Sequence, residues 1–438
     1  MKKKLVRSIA ILLLLSMVFP TNSFAEGEDK EILTAQSELL NTSQGSEQSI
    51  STTEEEKFAV TVNVRKYGAR NKKDSTKAFQ KALDVAANKG SSKKKGRVIV
   101  PAGTYYITGT LLIRSNVYIK CDKKAKIIKK KSDFAYILRS KWKRASGYNA
   151  IKNVTIEGGI WDMEYRKYTS TVGGSHMCFV HASDLVFKDI TFKRNYSTHM
   201  IELVGAKDVL ITDCKMYGYK GYSKLAKKEA IQLDIVHSSK VVSRGDRYDD
   251  TVCRDITIRN NEVYNYPRAV GTHSAVKGVY NTNILIENNN FHDLSADAVY
   301  LFNFTNVTVR NNIMKNVGKG VVVKSSGDTL YNRRKGVKEV SLVNNDYNII
   351  IENNRITANK SAGAFGSIIG IHAIGTSKKF IGGIHALNNQ VSSSGELGIY
   401  MRYVKNSSVL GNQTKKKMKV AGSGNETQED CMNVSGNG

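Results

Sequence analysis

Proline is nearly missing from this sequence, with three in 438 residues. Proline has no N–H to give to a β-ladder, so its scarcity suits a chain made almost wholly of hydrogen-bonded strands. CxxC pairs are absent too. The five cysteines (Cys121, Cys178, Cys214, Cys253 and Cys431) are odd in number and scattered. They read as isolated buried thiols, not as a thiolate metal site. Neither a P-loop nor a GxGxxG occurs, so nothing announces a nucleotide cofactor. Acidic residues are short: 39 Asp and Glu face 67 Lys and Arg, a net charge of +28. Such a balance favours a polyanionic partner. No nucleic-acid-binding motif accompanies the charge, which leaves acidic polysaccharides and anionic cell-wall polymers as partners.

The ends differ from the bulk. "MKKKLVRSIAILLLLSMVFPTNSFAEG" places three lysines and Arg7 before an apolar run of 11 residues and a small-residue site at Ala25. The run is too short to span a bilayer and reads as a signal peptide over 1–25, removed on export. No later segment is apolar enough to cross a membrane, so the mature protein is expected outside the cell, held at the wall by charge. Residues 26–57 are polar, acidic and without periodicity, as in a disordered linker. A single domain is expected over 58–414, followed by an unstructured tail at 415–438.

Between those ends the chain repeats. Asn-rich turns read "RNNEVYNY", "ENNNFHDL", "RNNIMKNV", "ENNRITAN", "LNNQVSSS" and "LGNQT". Their second Asn, or its equivalent, falls at Asn261, Asn289, Asn312, Asn354, Asn389 and Asn412. Variable spacing of this size between β-branched strands is a solenoid signature. Identical Asn side chains stacked at one turn would hydrogen-bond in a ladder.

Ahead of the repeats lies one amphipathic helix, beginning at Asp74 or Ser75 and burying Phe79, Ala82, Leu83 and Ala86. Laid across the open end of a solenoid, it would cover core residues. Here "YGA", "DSTKAFQKALD" and "VIVPAGTYYI" resemble the N-terminal signature of the pectate-lyase superfamily, which includes relatives of glycoside hydrolase family 28. The resemblance spans residues 60 to about 414. It implies an all-β fold: a single-stranded right-handed parallel β-helix with an N-terminal capping helix. It does not imply one chemistry, because the fold hosts lyases, hydrolases, epimerases and phage tailspikes. Where family 28 carries NTD, GDD, GHG and RIK, this chain has "STH" (197–199), "KKE" (227–229), "YPR" (266–268) and "GKG" (318–320). The catalytic aspartates of that family are therefore not carried over.

Superimposing the inward apolar residues of the repeats yields three outward columns. One runs His176, His199, Glu229, Arg268, Asp297 and Lys319. The second runs Phe179, Glu202, Gln232, Gly271 and Tyr300. A third runs His181, Val204, Asp234, His273, Phe302, Lys324, His372 and Arg402. This concentration of histidines, acids, cations and aromatics marks the expected groove.

Glu202 and Asp234 fall on neighbouring coils, offset by two residues, which separates their backbones by about 8 Å. Inverting glycosidases hold two carboxyl groups roughly 6.5–9.5 Å apart. Asp234 and Glu202 are thus expected as the catalytic pair of a glycoside hydrolase acting on a uronic-acid polysaccharide, with His273 tuning Asp234. As an exposed ion pair, Asp234 and His273 would add only about 0–1 kcal/mol of stability. Gln232, Glu229, Arg268, His199, Asp297, Tyr300, Lys324, His181, His372 and Arg402 are expected to bind substrate. A lyase is the alternative, with His273 as base and Arg268 and Lys324 neutralising the uronate. Its calcium-dependent form would draw on Glu202, Asp234 and Glu229. A non-catalytic wall-binding adhesin is a third reading. No metal site is announced otherwise.

Overall fold

The structure, a computed structural model, describes residues 58–131, 133–141, 145–164, 174–221, 228–242, 247–325, 330–359 and 367–414, with backbone strands at 417–420 and 431–436. The leader and acidic linker expected at 1–25 and 26–57 lie outside the described residues. Among the described residues no helix is long and apolar enough to cross a membrane.

Each coil contributes strands to three parallel rows. The first begins at Val60–Asn63, which pairs with Gly96–Val100, and continues to Val404–Leu410. The second begins at Lys73–Asp74 and runs through Gly103–Ile107 to Gln413–Thr414. The third starts at Leu111–Ile113 and carries the candidate site. Its later strands are β1 (Met177–Lys188), β2 (Ile201–Thr212), β3 (Glu229–Asp234), β4 (Arg268–Gly271), β5 (Asn290–Phe302), β6 (Ile313–Lys324), β7 (Ile369–Ile374) and β8 (Leu397–Arg402). The longer of these turn a corner and also serve a neighbouring row. The fold is a right-handed parallel β-helix, as the sequence implied.

The Asn repeat has two physical parts. The first Asn of each pair adopts the left-handed region, with φ of 55° at Asn260, Asn288 and Asn311 and 54° at Asn353. Asn tolerates that conformation better than other residues with a Cβ. The second Asn turns inward and builds the ladder. Asn261 donates to Asn289 at 3.0 Å, Asn289 to Asn312 at 3.0 Å, and Asn312 to Asn354 at 3.0 Å. Asn354 and Asn389 continue it to Asn412.

Helix α1 (Thr76–Lys89) buries Ala78, Phe79, Ala82, Leu83 and Ala86 against the first coils. Of the two candidate caps, Asp74 does the work. Its Oδ1 accepts the Thr76 N–H at 3.0 Å, while Ser75 makes no side-chain cap bond.

One expectation changes. The stack does not end at 414: Lys417–Val420 pairs with β8, and Cys431–Gly436 pairs with Val404–Leu410. The expected unstructured tail therefore contains two ladder strands. The four described cysteines, Cys121, Cys178, Cys214 and Cys253, are buried and unbridged.

Candidate functional site

Register in the third row fixes which side chains meet. Glu202 pairs with Gln232, Gln232 with Gly271, and Gly271 with Tyr300. Glu229 pairs with Arg268, and Asp297 with Lys319. Val204 pairs with Asp234, and extending the β3–β4 register by two residues sets His273 beside Asp234. The expected neighbours Glu202, Asp234 and His273 are thus brought together.

Four members leave their columns, His176 among them: the pairing of Met177 with Ile201 sets it opposite Met200, not His199. Cys178, not Phe179, pairs with Glu202, while Phe179 is buried and packs against Phe187. His181, with φ of 52° inside β1, breaks the strand's alternation, and its ring bonds the backbone oxygens of Gly147 and Arg247 at 2.7 and 3.0 Å. Fully buried there, it braces loops and has no surface to offer a substrate. His372 belongs to the second column, between Val322 and Tyr400.

A larger correction concerns exposure. Glu229, Gln232 and Asp234 are 0% exposed, and Glu202 and Arg268 are 6%. The chain that leaves β3 and β4 folds back over the row. Val236, Val241 and Val242 cover Val180 and Val204 in one apolar cluster, and Ile235, Val276 and Val279 form another beside Asp234. The columns face away from the solenoid core, yet most of their polar groups are buried. A third of the His273 side chain remains exposed and marks the opening of the cluster.

Buried polar groups must find partners. Asp234 accepts hydrogen bonds from the Thr272 hydroxyl and the Gln232 amide. His273 Nε2 lies 3.6 Å from Asp234 Oδ2, and its Nδ1 lies 3.7 Å from Glu229 Oε2. His199 stacks on His273 with ring centroids 5.7 Å apart, and its Nδ1 bonds the Glu229 carbonyl oxygen at 2.7 Å. Ser175 donates to Glu202 Oε2 at 2.6 Å. Thr272 and Ser175 are partners that column reading missed. Each sits next to a histidine, in "GTHS" and "GGSHM", which is the one signal the sequence offered.

Arg268 joins two acids. It donates to Glu229 Oε1 at 2.9 Å and to Asp297 Oδ2 at 2.9 Å, and lies 3.9 Å over the Tyr300 ring. Arg268 is thus claimed by both acids, while Glu229 Oε2 is buried without a hydrogen-bond partner. As placed, Glu229 and Arg268 serve each other, which departs from the expectation that both reach substrate.

Burial splits the charge states. Glu202 is pushed up to about 7, chiefly by burial, with the Asp234 charge adding to it against the Ser175 hydrogen bond. Asp234 is also raised by burial. Burial would raise Glu229 as well, but the contacts from His273 and Arg268 hold it well below the usual carboxylate range. His273 rises to about 9 despite burial, because Asp234 and Glu229 favour its charged form. Burial lowers His199 to about 3, which keeps that ring neutral. At neutral pH the site combines a carboxyl near its titration point, an ionised carboxylate and an imidazolium.

His199, Glu229 and His273 each bring one donor atom within 4.8 Å of the others. Imidazolium His273 already fills the cationic position beside Glu229, and Arg268 takes the other oxygen. For calcium, which prefers oxygen donors, the imidazole-containing set fits poorly. The acids named for a calcium-dependent lyase are likewise engaged by protein cations and hydroxyls.

A family model described as rhamnogalacturonase A/epimerase, pectate lyase-like, matches residues 61–322. The chain is 23% identical over 324 residues to plasmin and fibronectin-binding protein A of Streptococcus pneumoniae, covering 67% of this chain and 45% of that relative. It thus spans less than half the length of that protein. The solved surface protein and adhesin PfbA of Streptococcus pneumoniae aligns with a TM-score of 0.58 at 17% identity, over 85% of this chain and 96% of the other. A family 28 exopolygalacturonase of Yersinia enterocolitica aligns with a TM-score of 0.57 at 16% identity, over 85% and 78%. At such identities the likeness is one of fold.

Proposed function

Because the chain belongs to the rhamnogalacturonase A/epimerase, pectate lyase-like family, we propose that it is an extracellular enzyme hydrolysing a glycosidic bond in an acidic, uronate-containing polysaccharide. The observation that carries this reading is the pairing of two buried carboxyl groups on neighbouring coils, with an imidazolium beside one of them. Glu202 is raised to about 7 and Asp234 sits under an imidazolium. A raised carboxyl suits a proton donor, and the charge of His273 works against the burial that raises Asp234.

In this reading Glu202 gives its proton to the leaving oxygen as the glycosidic bond breaks. Ionised Asp234 takes a proton from the attacking water, and His273 limits the build-up of negative charge. The register separates the two backbones by about 8 Å, which leaves room for that water. Asp234 has no exposed surface, and the part-exposed His273 side chain marks the approach to it. Elimination is less well supported. Its base would be His273, which stays protonated to about 9, and its carboxylate clamp would be Arg268, which Glu229 and Asp297 already occupy.

Turnover on a panel of acidic polysaccharides, followed by reducing ends and absorbance near 235 nm together, tests the proposal. Reducing ends without the absorbance are expected, and unsaturated product would show elimination instead. Glu202→Gln should lower the rate by about 10²–10⁴-fold, the usual worth of one proton-transfer group. Wild-type activity should fall on the alkaline side with an apparent pKa near 7.

A second reading is a surface adhesin without catalysis. It draws on the similarity to a protein named for binding plasmin and fibronectin and on the net charge of +28. Binding of plasmin or fibronectin by the full chain, with no turnover on any panel member, would favour it. Either reading places the mature protein outside the cell, as a secreted or surface-held chain.

A further inference from the structure

Past Asp297 the third row changes character. Asp297 itself is engaged by Arg268. Beyond it, the three columns carry Lys319, Lys324, His372, Tyr400 and Arg402 among apolar residues, with no acid among their described members. All five are half-buried. Lys324 lies 5.6 Å over the Phe302 ring, and Arg402 bonds the Tyr403 hydroxyl at 3.1 Å. His372 stacks on Tyr400 with centroids 5.3 Å apart. Both its ring nitrogens are shielded from solvent, yet neither has a hydrogen-bond partner.

An imidazole with two shielded, orphaned nitrogens is costly unless something arrives to bond it. The groups around it say what would arrive. Burial and the Lys319 charge, with Lys324 adding to it, push His372 down to about 4, while Asp297 alone pulls the other way. An anion here would pair with Lys324 and let His372 take up a proton and donate to it.

Position along the solenoid adds the geometry. The Phe302–Lys324 pairing puts Lys324 two coils past His273, and the β7–β8 pairing puts Arg402 four coils past it. With coils roughly 4.8 Å apart, these offsets are about 10 and 19 Å. A linear polyanion laid along the row would meet a cation at both distances.

We infer that β6, β7 and β8 form a subsite for anionic groups, carboxylate or sulfate, on a glycan chain running along the third row away from His273. The subsite rests on the proposed function only in taking the ligand to be an acidic glycan. Catalysis is not required for it.

Binding calorimetry on the full chain carrying Glu202→Gln, which prevents turnover, tests the subsite. The probes are oligogalacturonates of increasing length, sulfated galactan oligomers of matched length and neutral galactan oligomers. Long anionic oligomers should bind more tightly than short ones. Adding Lys324→Gln and Arg402→Gln should weaken the long ones by about tenfold or more, the worth of a lost charge-assisted contact, and leave the short ones unchanged. Arg402→Lys, which keeps the charge, should retain most of the affinity and controls for folding. A preference for the uronate or the sulfated series identifies which anion the subsite takes. Equal loss for long and short oligomers, equal binding of neutral ones, or no binding of any anionic oligomer would overturn the inference. Length-dependent binding in a chain whose wild type turns nothing over would sink the hydrolytic reading and leave the subsite standing.

Discussion

Asp234 accepts bonds from Thr272 and Gln232 with no exposed surface, and that changes what its substitution does. The expectation for an exposed pair, about 0–1 kcal/mol, no longer applies. Asp234→Asn disturbs a buried, hydrogen-bonded carboxyl, so a loss of about 1–3 kcal/mol is expected by urea unfolding, together with loss of turnover. Full stability in that variant would contradict the buried network. His273 offers a pH test. Its pKa rises from 6.5 to about 9 on folding, so its contribution is complete below pH 6.5 and disappears as pH climbs through 9. Glu202, raised from 4.5 to about 7, makes stability fall as pH rises between those values. His273→Ala should abolish the decline between 6.5 and 9 and spare the one below 7. Thermal melts across pH separate the two.

Strands, helix and turns repeat the same economy of means. Asn312 accepts from the Asn289 backbone N–H and side chain, and its own amide reaches Ile286, Arg310 and Asn354. Asn312→Ala strands several buried groups at once and should cost at least about 1–3 kcal/mol. Asn311, beside it in the left-handed region with φ of 55°, needs its conformation more than its partners. There Asn311→Ala should cost about 1–2 kcal/mol, while Asn311→Gly should be close to neutral. Chemical denaturation of the three variants checks the division of labour within one turn. Column errors in the sequence reading have causes at this scale too. A strand has period two, so a slip of two residues keeps the same face outward and passes unnoticed. That is how His372 was assigned to the wrong column. His181 misses its column because β1 carries a positive φ there, where alternation stops applying.

Charge and repetition belong to the whole chain. A net +28 predicts that retention on an acidic glycan column weakens as salt rises, since exposed charges are screened over about 8 Å at physiological ionic strength. Salt-independent retention would contradict an electrostatic partner. Within the basic stretch 120–131, Lys120 and Lys130 already pair with Glu157 and Glu164 at 3.0 and 2.6 Å, so this stripe contributes less than its lysine count suggests. The sequence by itself determined the solenoid, its capping helix, the Asn ladder and the proximity of Glu202, Asp234 and His273. All of these follow from short-range periodicity, repeated coil after coil. Only the tertiary structure decided that Asp234, Glu229 and Gln232 are buried, that Arg268 is claimed by two acids, and that Thr272 and Ser175 hold the carboxyls. Burial outside the solenoid core comes from loops such as 235–242 and 272–280 folding over the row. No repeat constrains those loops, so nothing in the period of the strands records where they land.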